Sequence, residues 1–161
     1  MKTTALVISL LLISLFSRAQ STDAKETTRI IESKNFIFIA QQAIPQSGAS
    51  RTLTSQYDLT VRPDSVISEL PFFGRAYTAP MNPTDGGIRF SSVKFGYESV
   101  KKKKGRYEIS IRPSDAQGII SMNLSLYSSG RGTLTVTQLN RSVMTFYGFI
   151  REGRPFDRKA F

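Results

Sequence analysis

Apolar and polar residues alternate with a period of two along most of the chain after residue 35, which is typical of half-buried β-strands. The alternation recurs in five segments: 57–61, 93–97, 107–111, 120–126 and 134–136. It is cleanest in the fourth segment, where Ile120, Met122, Leu124 and Leu126 are all predicted to face the core. In the second segment Val93 is predicted to share the core face with Phe95 and Tyr97.

Two further segments, 35–44 and 143–150, are apolar on both faces, so each is predicted to be a buried strand, the second of them central. A brief strand is predicted at 66–70. Turn residues separate the strands at intervals of roughly ten residues, which leaves no room for the crossover helices of a parallel sheet. The sequence therefore predicts a mostly β, single-domain antiparallel sandwich or barrel of about eight strands.

One short helix is predicted before the first strand, over residues 21–34. Asp23 and Glu26 have the spacing of a capping box, in which side-chain oxygens accept hydrogen bonds from free backbone N–H groups. Ile30 and Ile31 are predicted to face the core. The expected organisation is a signal peptide at 1–19, a helical lead-in at 20–34, a β-rich domain at 35–150 and a flexible tail at 151–161.

The first nineteen residues have the three regions of a secretory signal peptide. Lys2 supplies the positive start, residues 5–16 are an almost unbroken apolar run, and Arg18 is flanked by the small residues that a signal peptidase recognises. The run is shorter than the ~20 residues of a membrane span, so cleavage after Ala19 is predicted and the mature protein is not expected to span a membrane. No Cys follows the run, which excludes a lipid anchor attached through a thiol. We therefore expect a periplasmic or secreted protein.

The chain is strongly basic, with 22 Lys and Arg against 12 Asp and Glu. Lys2 and Arg18 leave with the signal peptide, so the mature domain has a net charge of about +8, which favours anionic partners through long-range attraction. Outside the cytoplasm these partners are an envelope component such as lipid head groups, an acidic glycan or an acidic protein, rather than nucleic acid. The alternative is that the charge only keeps the protein soluble.

The chain contains no His and no Cys, which removes most familiar catalytic chemistry. Ser-His-Asp triads, Cys-His pairs and the usual zinc sites cannot be assembled, so the prediction is a non-enzymatic protein without cofactor or metal. A pair of carboxylates, as in a glycan hydrolase, is the remaining catalytic alternative. Its candidates are Asp58, Asp64, Glu69, Asp85, Glu98, Glu108 and Asp115. Most of them lie at predicted turns or on the polar side of strands, where solvated surface acids are expected.

Segment 70–92 is long, aromatic and rich in Pro and Gly, and loops of this length in compact domains are often functional. Phe72, Phe73 and Tyr77, with Arg75 among them, either form a binding surface for sugar rings or a peptide, or fold inward and plug the core. The sequence leaves both alternatives open. A binding or interaction module that uses this loop is the leading functional hypothesis.

The most concentrated charge of the chain is a predicted hairpin tip, here called the basic tip, made of Lys101, Lys102, Lys103, Lys104 and Arg106. Such a tip can attract anionic lipid by ~1 kcal/mol per basic residue, or it is merely solvated and discourages aggregation of a sheet edge. We expect it to assist the 70–92 loop electrostatically. A carrier of a lipid or small apolar ligand inside a barrel is a further alternative, which requires an interior cavity of ~300 Å³ or more.

Four segments of the chain resemble a known family when taken together. They are NFIFIAQQAIP at 35–45, LPFFGRAYTAP at 70–80, GGIRF at 86–90 and NRSVMTFYG at 140–148. In this order they are similar to the domain-of-unknown-function 4251 (DUF4251) family, small exported proteins of Bacteroidota. The resemblance spans nearly the whole mature chain and implies a compact β-rich domain in or outside a Gram-negative cell envelope. It implies no activity and no site residues.

Overall fold

The computed structural model describes residues 24–77 and 86–154. A helix, α1, spans residues 24–32, and strands follow it to the end of the described chain. They are β1 (Phe36–Pro45), β2 (Arg51–Val61), β3 (Val66–Pro71), β4 (Gly87–Ser92), β5 (Phe95–Lys101), β6 (Tyr107–Pro113), β7 (Ile119–Leu126), β8 (Arg131–Gln138) and β9 (Met144–Glu152). Over these described residues the fold is mostly β with one short α-helix, which confirms the predicted fold class.

The strands form one antiparallel sheet in the order β4-β3-β2-β1-β9-β8-β7-β6-β5. β4 and β5 lie at opposite ends of this order, yet only Val93 and Lys94 separate them along the chain. Because every pairing reverses the direction, β4 and β5 must run the same way, so residues 87–101 act as one bent strand. Its first part pairs with β3 and its second part with β6. The sheet therefore curls into a nearly closed barrel in which the bent strand joins the two edges.

Asp115, in the turn after β6, holds this bend. Its carboxylate accepts hydrogen bonds from the backbone N–H groups of Val93 (3.0 Å) and Lys94 (3.1 Å) and from the hydroxyl of Ser92. These donors lower the pKa of the Asp115 carboxyl, the Ser92 hydroxyl contributing most. The prediction that Val93 faces the core is wrong, since Val93 is 68% exposed. The bend interrupts the alternation at this residue.

Replacing Asp115 by alanine is expected to lower the thermal midpoint of unfolding, because the N–H groups at the bend lose their acceptor. Asp64→Ala is the matched control, since Asp64 is exposed in the β2–β3 turn and its carboxylate accepts from the neighbouring Ser65 hydroxyl. A lowered folded-state pKa stabilises the protein above the ordinary Asp range, and this contribution is lost as the pH falls through the folded-state pKa. The difference between wild type and Asp115→Ala should therefore shrink in acid. Equal midpoints at neutral pH would contradict this role.

The barrel interior is filled by the protein's own side chains. The largest fully buried ones are Phe36, Phe38, Phe146, Ile31, Leu59, Leu70, Ile88, Ile109, Ile111, Met122, Leu124 and Leu126. A void large enough for a ligand would expose the surface of the side chains around it to a water-sized probe. These twelve side chains have almost no such exposed surface. The structure therefore does not support a carrier that holds a lipid or apolar ligand among these residues. Ile30 and Ile31 of α1 belong to this core, as predicted.

Ile120 departs from the predicted pattern of β7. Met122 is fully buried, but Ile120 is 49% exposed. The pairing of β7 with β8 shifts between Ile119 and Ser121, so a β-bulge changes the face on which the residues before it lie. As a result Ile119, rather than Ile120, packs against the core.

Several predicted boundaries also change. β3 continues to Pro71 and β4 begins at Gly87, so residues 70–71 and 87–92 of the predicted 70–92 loop belong to strands. β9 runs two residues past the predicted domain end at 150. The predicted signal peptide, Asp23, Asp85 and the tail beyond residue 154 lie outside the described residues. Within the described ranges, no helix is long and apolar enough to cross a membrane.

Candidate functional site

The two ends of the barrel are closed by different elements. At one, here called the helix end, the Tyr107 hydroxyl donates to Thr28 of α1 (3.0 Å), and Arg29 of α1 forms an ion pair with Glu152 at the end of β9 (2.9 Å). At the other, here called the cap end, residues 72–77 lie against the β8–β9 turn. The predicted site residues are divided between these ends.

Residues 72–77 are tied to the β8–β9 turn by backbone hydrogen bonds. The Ser142 N–H donates to the carbonyl of Arg75 (2.9 Å), and the Ser142 hydroxyl accepts from the Arg75 N–H (2.9 Å). The Tyr77 N–H donates to the carbonyl of Asn140 (2.9 Å). The segment therefore pairs with the turn as an extended chain across the mouth of the barrel.

The aromatic residues of this segment differ in exposure. Phe72 and Phe73 are half-buried and pack against the core. The guanidinium of Arg141 lies 5.0 Å from the centre of the Phe72 ring, and that of Arg51 lies 4.7 Å from the centre of the Phe73 ring. Tyr77, in contrast, is 67% exposed. The two phenylalanines thus match the plug alternative, while the tyrosine ring faces solvent.

The basic tip lies at the helix end. Lys101 is the last residue of β5, Lys103–Gly105 form a 3₁₀ turn, and Lys104 has a left-handed conformation with φ 60°. All four lysines and Arg106 are exposed. The expected joint surface with Phe72, Phe73, Arg75 and Tyr77 is therefore not formed by the described residues. The bent strand 87–101 runs between the two groups, and fifteen extended residues span up to about 50 Å.

A groove of about 630 Å³ lies beside the basic tip, between α1 and the end of β5. It is lined by Ala24, Lys25, Thr28, Arg29, Glu32 and Lys101. Lys25, Arg29 and Glu32 are spaced so that they share one helix face, opposite the face that buries Ile31. This helical spacing is the sequence signal that could have indicated one wall of the groove. The strand that forms the opposite wall is set by the tertiary structure.

Arg29 organises the charges on one side of this groove. Its guanidinium contacts Glu26 at 2.6 Å and Glu152 at 2.9 Å. The Arg29 hydrogen bond lowers the pKa of the Glu26 carboxyl, and the two carboxylates raise the pKa of Arg29. Both carboxylates are thus engaged by a cation that belongs to the protein. Lys25 and Lys101 are the further cations that line the groove.

Two pairs of the candidate acids lie close together on the outer wall. Asp58 and Glu69 are directly opposite on β2 and β3, and Glu69 is also opposite Arg89 on β4. Glu98 and Glu108 line one cavity of about 200 Å³ on β5 and β6. Proximity alone does not make a carboxylate pair catalytic, because one of the two acids must also be kept neutral by its environment.

The environment of Glu98 and Glu108 differs from that of a glycosidase acid. Arg112 lies 3.8 Å from Glu98, and Arg106 lies 3.7 Å from Glu108, whose carboxylate also accepts from the Ser125 hydroxyl (3.0 Å). The proton-donating acid of a glycosidase instead sits in an apolar setting that keeps it neutral. The described residues therefore favour surface ion pairs over catalysis at this cavity.

Comparison with known proteins gives the family and the fold. The sequence model of the family DUF4251, a domain of unknown function, matches residues 18–150 of the chain. A crystal structure of a DUF4251 family protein from Bacteroides eggerthii DSM 20697 is similar with a TM-score of 0.58 and 15% identity, over 84% of this chain and 91% of that chain. Comparison with curated proteins finds no significant match. The predicted resemblance is confirmed.

Proposed function

The chain belongs to the DUF4251 family, and on this premise we propose that it is an exported, non-enzymatic binding module whose helix end binds phosphate-bearing head groups of envelope lipids. The observation that supports the proposal best is the groove of about 630 Å³ between α1 and the basic tip, since it places cations from two separate parts of the chain side by side. Export rests on the predicted signal peptide, and the lack of catalysis rests on the residue types that the sequence lacks.

The charges around the groove suit an anionic ligand. Lys25 and Lys101 line it, and the rest of the basic tip adjoins Lys101 along the chain. A lysine ammonium has three donors and no acceptor, so it binds phosphate oxygens from many directions. Glu32 is the acid that lines the groove, and Glu26 is already engaged by Arg29. The positive potential of this end therefore remains largely available to a ligand.

The mature protein is expected to co-sediment with vesicles that contain phosphatidylglycerol and not with vesicles of phosphatidylcholine alone. Replacing Lys101, Lys103 and Lys104 by Gln should weaken this binding about 100-fold, since each basic residue near an anionic surface contributes ~1 kcal/mol. Binding should also weaken as salt is added, because mobile ions screen exposed charges. Equally tight binding by the triple variant would overturn the proposal.

A charge-matched control separates a local site from a general effect of net charge. Arg51, Arg75 and Arg89 lie away from the helix end, and changing all three to Gln removes the same charge. This variant should bind the anionic vesicles nearly as well as wild type. An equal loss in both variants would show that only net charge matters. A selective loss in the control would instead assign the contact to the cap end, where Arg75 and Tyr77 are exposed.

A further inference from the structure

We propose that the outer wall of the barrel carries a second site, for an acidic sugar, meaning a pyranose ring that bears a carboxylate. The site is a hollow of about 420 Å³ on β1, β8 and β9, here called the tyrosine hollow. It is lined by Gln41, Tyr127, Arg131, Gly132, Thr133, Tyr147 and Gly148. None of these residues lines the groove at the helix end, so the inference is independent of the proposed function.

The backbone around the hollow departs from a regular wall. The pairing of β1 with both neighbours shifts between Ala40 and Gln42, so Gln41 is the extra residue of a β-bulge. A bulge bends its strand and re-aims a side chain, and Gln41 is exposed into the hollow. On the other side, Gly132 and Gly148 lie directly opposite each other. Both glycines face the core, so it is their backbone that contributes to the lining, and the depression lies beside the bulge at Gln41.

Two tyrosine rings are left accessible in this depression. Tyr127 is 51% exposed and Tyr147 is 48% exposed. Tyr147 lies opposite Thr133 on β8 and Gln42 on β1, whose polar side chains do not cover an aromatic face. Aromatic faces offer a large contact area at low entropic cost, and the C–H groups of a sugar ring pack well against them. The hollow therefore offers stacking surface as well as polar contacts.

The polar groups of the hollow favour a sugar with negative charge. The Gln41 amide and the Thr133 hydroxyl can donate to and accept from sugar hydroxyls. Arg131 is the charged group of the lining, and its planar guanidinium can bind a carboxylate through two hydrogen bonds. A second cation lies at the edge, because the Arg106 guanidinium is 5.4 Å from the centre of the Tyr127 ring. No described residue of the lining carries a carboxylate, and Glu108, outside the lining, is paired with Arg106.

The test is calorimetric titration of the mature protein with tetragalacturonate, with neutral maltotetraose as the comparison sugar. Wild type should bind the acidic sugar and bind the neutral one at least about tenfold more weakly, as one charge-assisted pair predicts. Tyr147→Ala and Tyr127→Ala should each weaken binding of tetragalacturonate about tenfold, and Tyr147→Phe should retain it because the ring remains. Arg131→Gln should weaken the acidic sugar and leave the neutral one unchanged.

Two controls make the result specific. Tyr77→Ala removes an exposed tyrosine at the cap end and should leave sugar binding unchanged. The triple Lys→Gln variant of the basic tip should lose vesicle binding while keeping more sugar binding than Arg131→Gln, so the two proposals fail separately. No binding of tetragalacturonate, or wild-type affinity in both tyrosine-to-alanine variants, would overturn the inference. Equal affinity for maltotetraose would overturn the assignment of an acidic ligand.

Discussion

Replacing Phe146 by alanine is expected to lower the free energy of unfolding by about 3–5 kcal/mol. Phe146 is fully buried on β9, where it lies opposite Ala43 on β1 and Leu134 on β8. Because β9 is paired on both sides, the backbone around the ring cannot move inward to fill the space. The mutation therefore leaves most of a cavity, and the cavity adds to the cost of the lost burial. Urea denaturation monitored by circular dichroism measures the change.

Phe149→Ala is the matched control, since Phe149 lies on the same strand but is only half-buried on the outer side. Its expected cost is below about 1.5 kcal/mol, because partly exposed side chains lose less burial and leave no closed cavity. Native domains are stable by only ~5–15 kcal/mol, so Phe146→Ala can fall near the limit of folding. Phe146→Leu, which keeps part of the volume, should then give an intermediate loss. Equal losses at positions 146 and 149 would contradict the described orientation of β9.

Adding a single methyl group at Gly148 is expected to cost on the order of 3 kcal/mol, through strain rather than lost burial. A Cβ atom at this position would overlap the carbonyl oxygen of Ile39 on β1 and lie 2.9 Å from the Phe38 ring. The carbonyl is backbone of a central strand, so it cannot move away without disturbing the pairing of β1 with β9. Thermal and urea denaturation of Gly148→Ala measure the effect.

Gly96→Ala on β5 is the control for this substitution. Apart from its chain neighbours, no heavy atom of the described residues lies within 4 Å of the Cβ position at Gly96. Its alanine variant should be neutral or slightly stabilised, because alanine reduces the entropy of the unfolded chain at no steric cost. A loss at Gly96 as large as that at Gly148 would show that alanine is disfavoured in these strands for a reason other than close contact between β1 and β9.

The strands and their buried faces were largely predictable, because the period-two pattern is a local property of each segment. Leu59, Ile109 and Leu124 follow that pattern and are buried as predicted. Ile120 and Val93 do not, because a bulge and a bend arise from how strands pair, and neither changes the local sequence pattern. The loop boundary failed for a related reason: the strand Gly87–Ser92 begins with glycine next to a Pro/Gly-rich stretch, which has the composition of a loop.

The sequence predicted the types of residue at the candidate sites but not which of them lie together. The charge of the basic tip is evident from its five residues, but its position beside Lys25 requires the docking of α1 against the end of β5. Tyr127 and Tyr147 gave no sequence signal, because twenty residues separate them and single tyrosines in strands are common. They share a hollow because β8 pairs with β7, which Tyr127 follows, on one side and with β9, which carries Tyr147, on the other.

The sequence by itself determined the fold class, the family, the basic charge and the identity of most core residues. The fold class, the charge and the core residues depend on composition or on spacing within about ten residues, and the family depends on the resemblance of four short segments. Only the tertiary structure decided that the aromatic segment and the basic tip lie at opposite ends, and that a helix and a distant hairpin form one groove. The physical reason is that strand register and the bent strand at 87–101 set these distances, and both result from pairing between residues far apart in the chain.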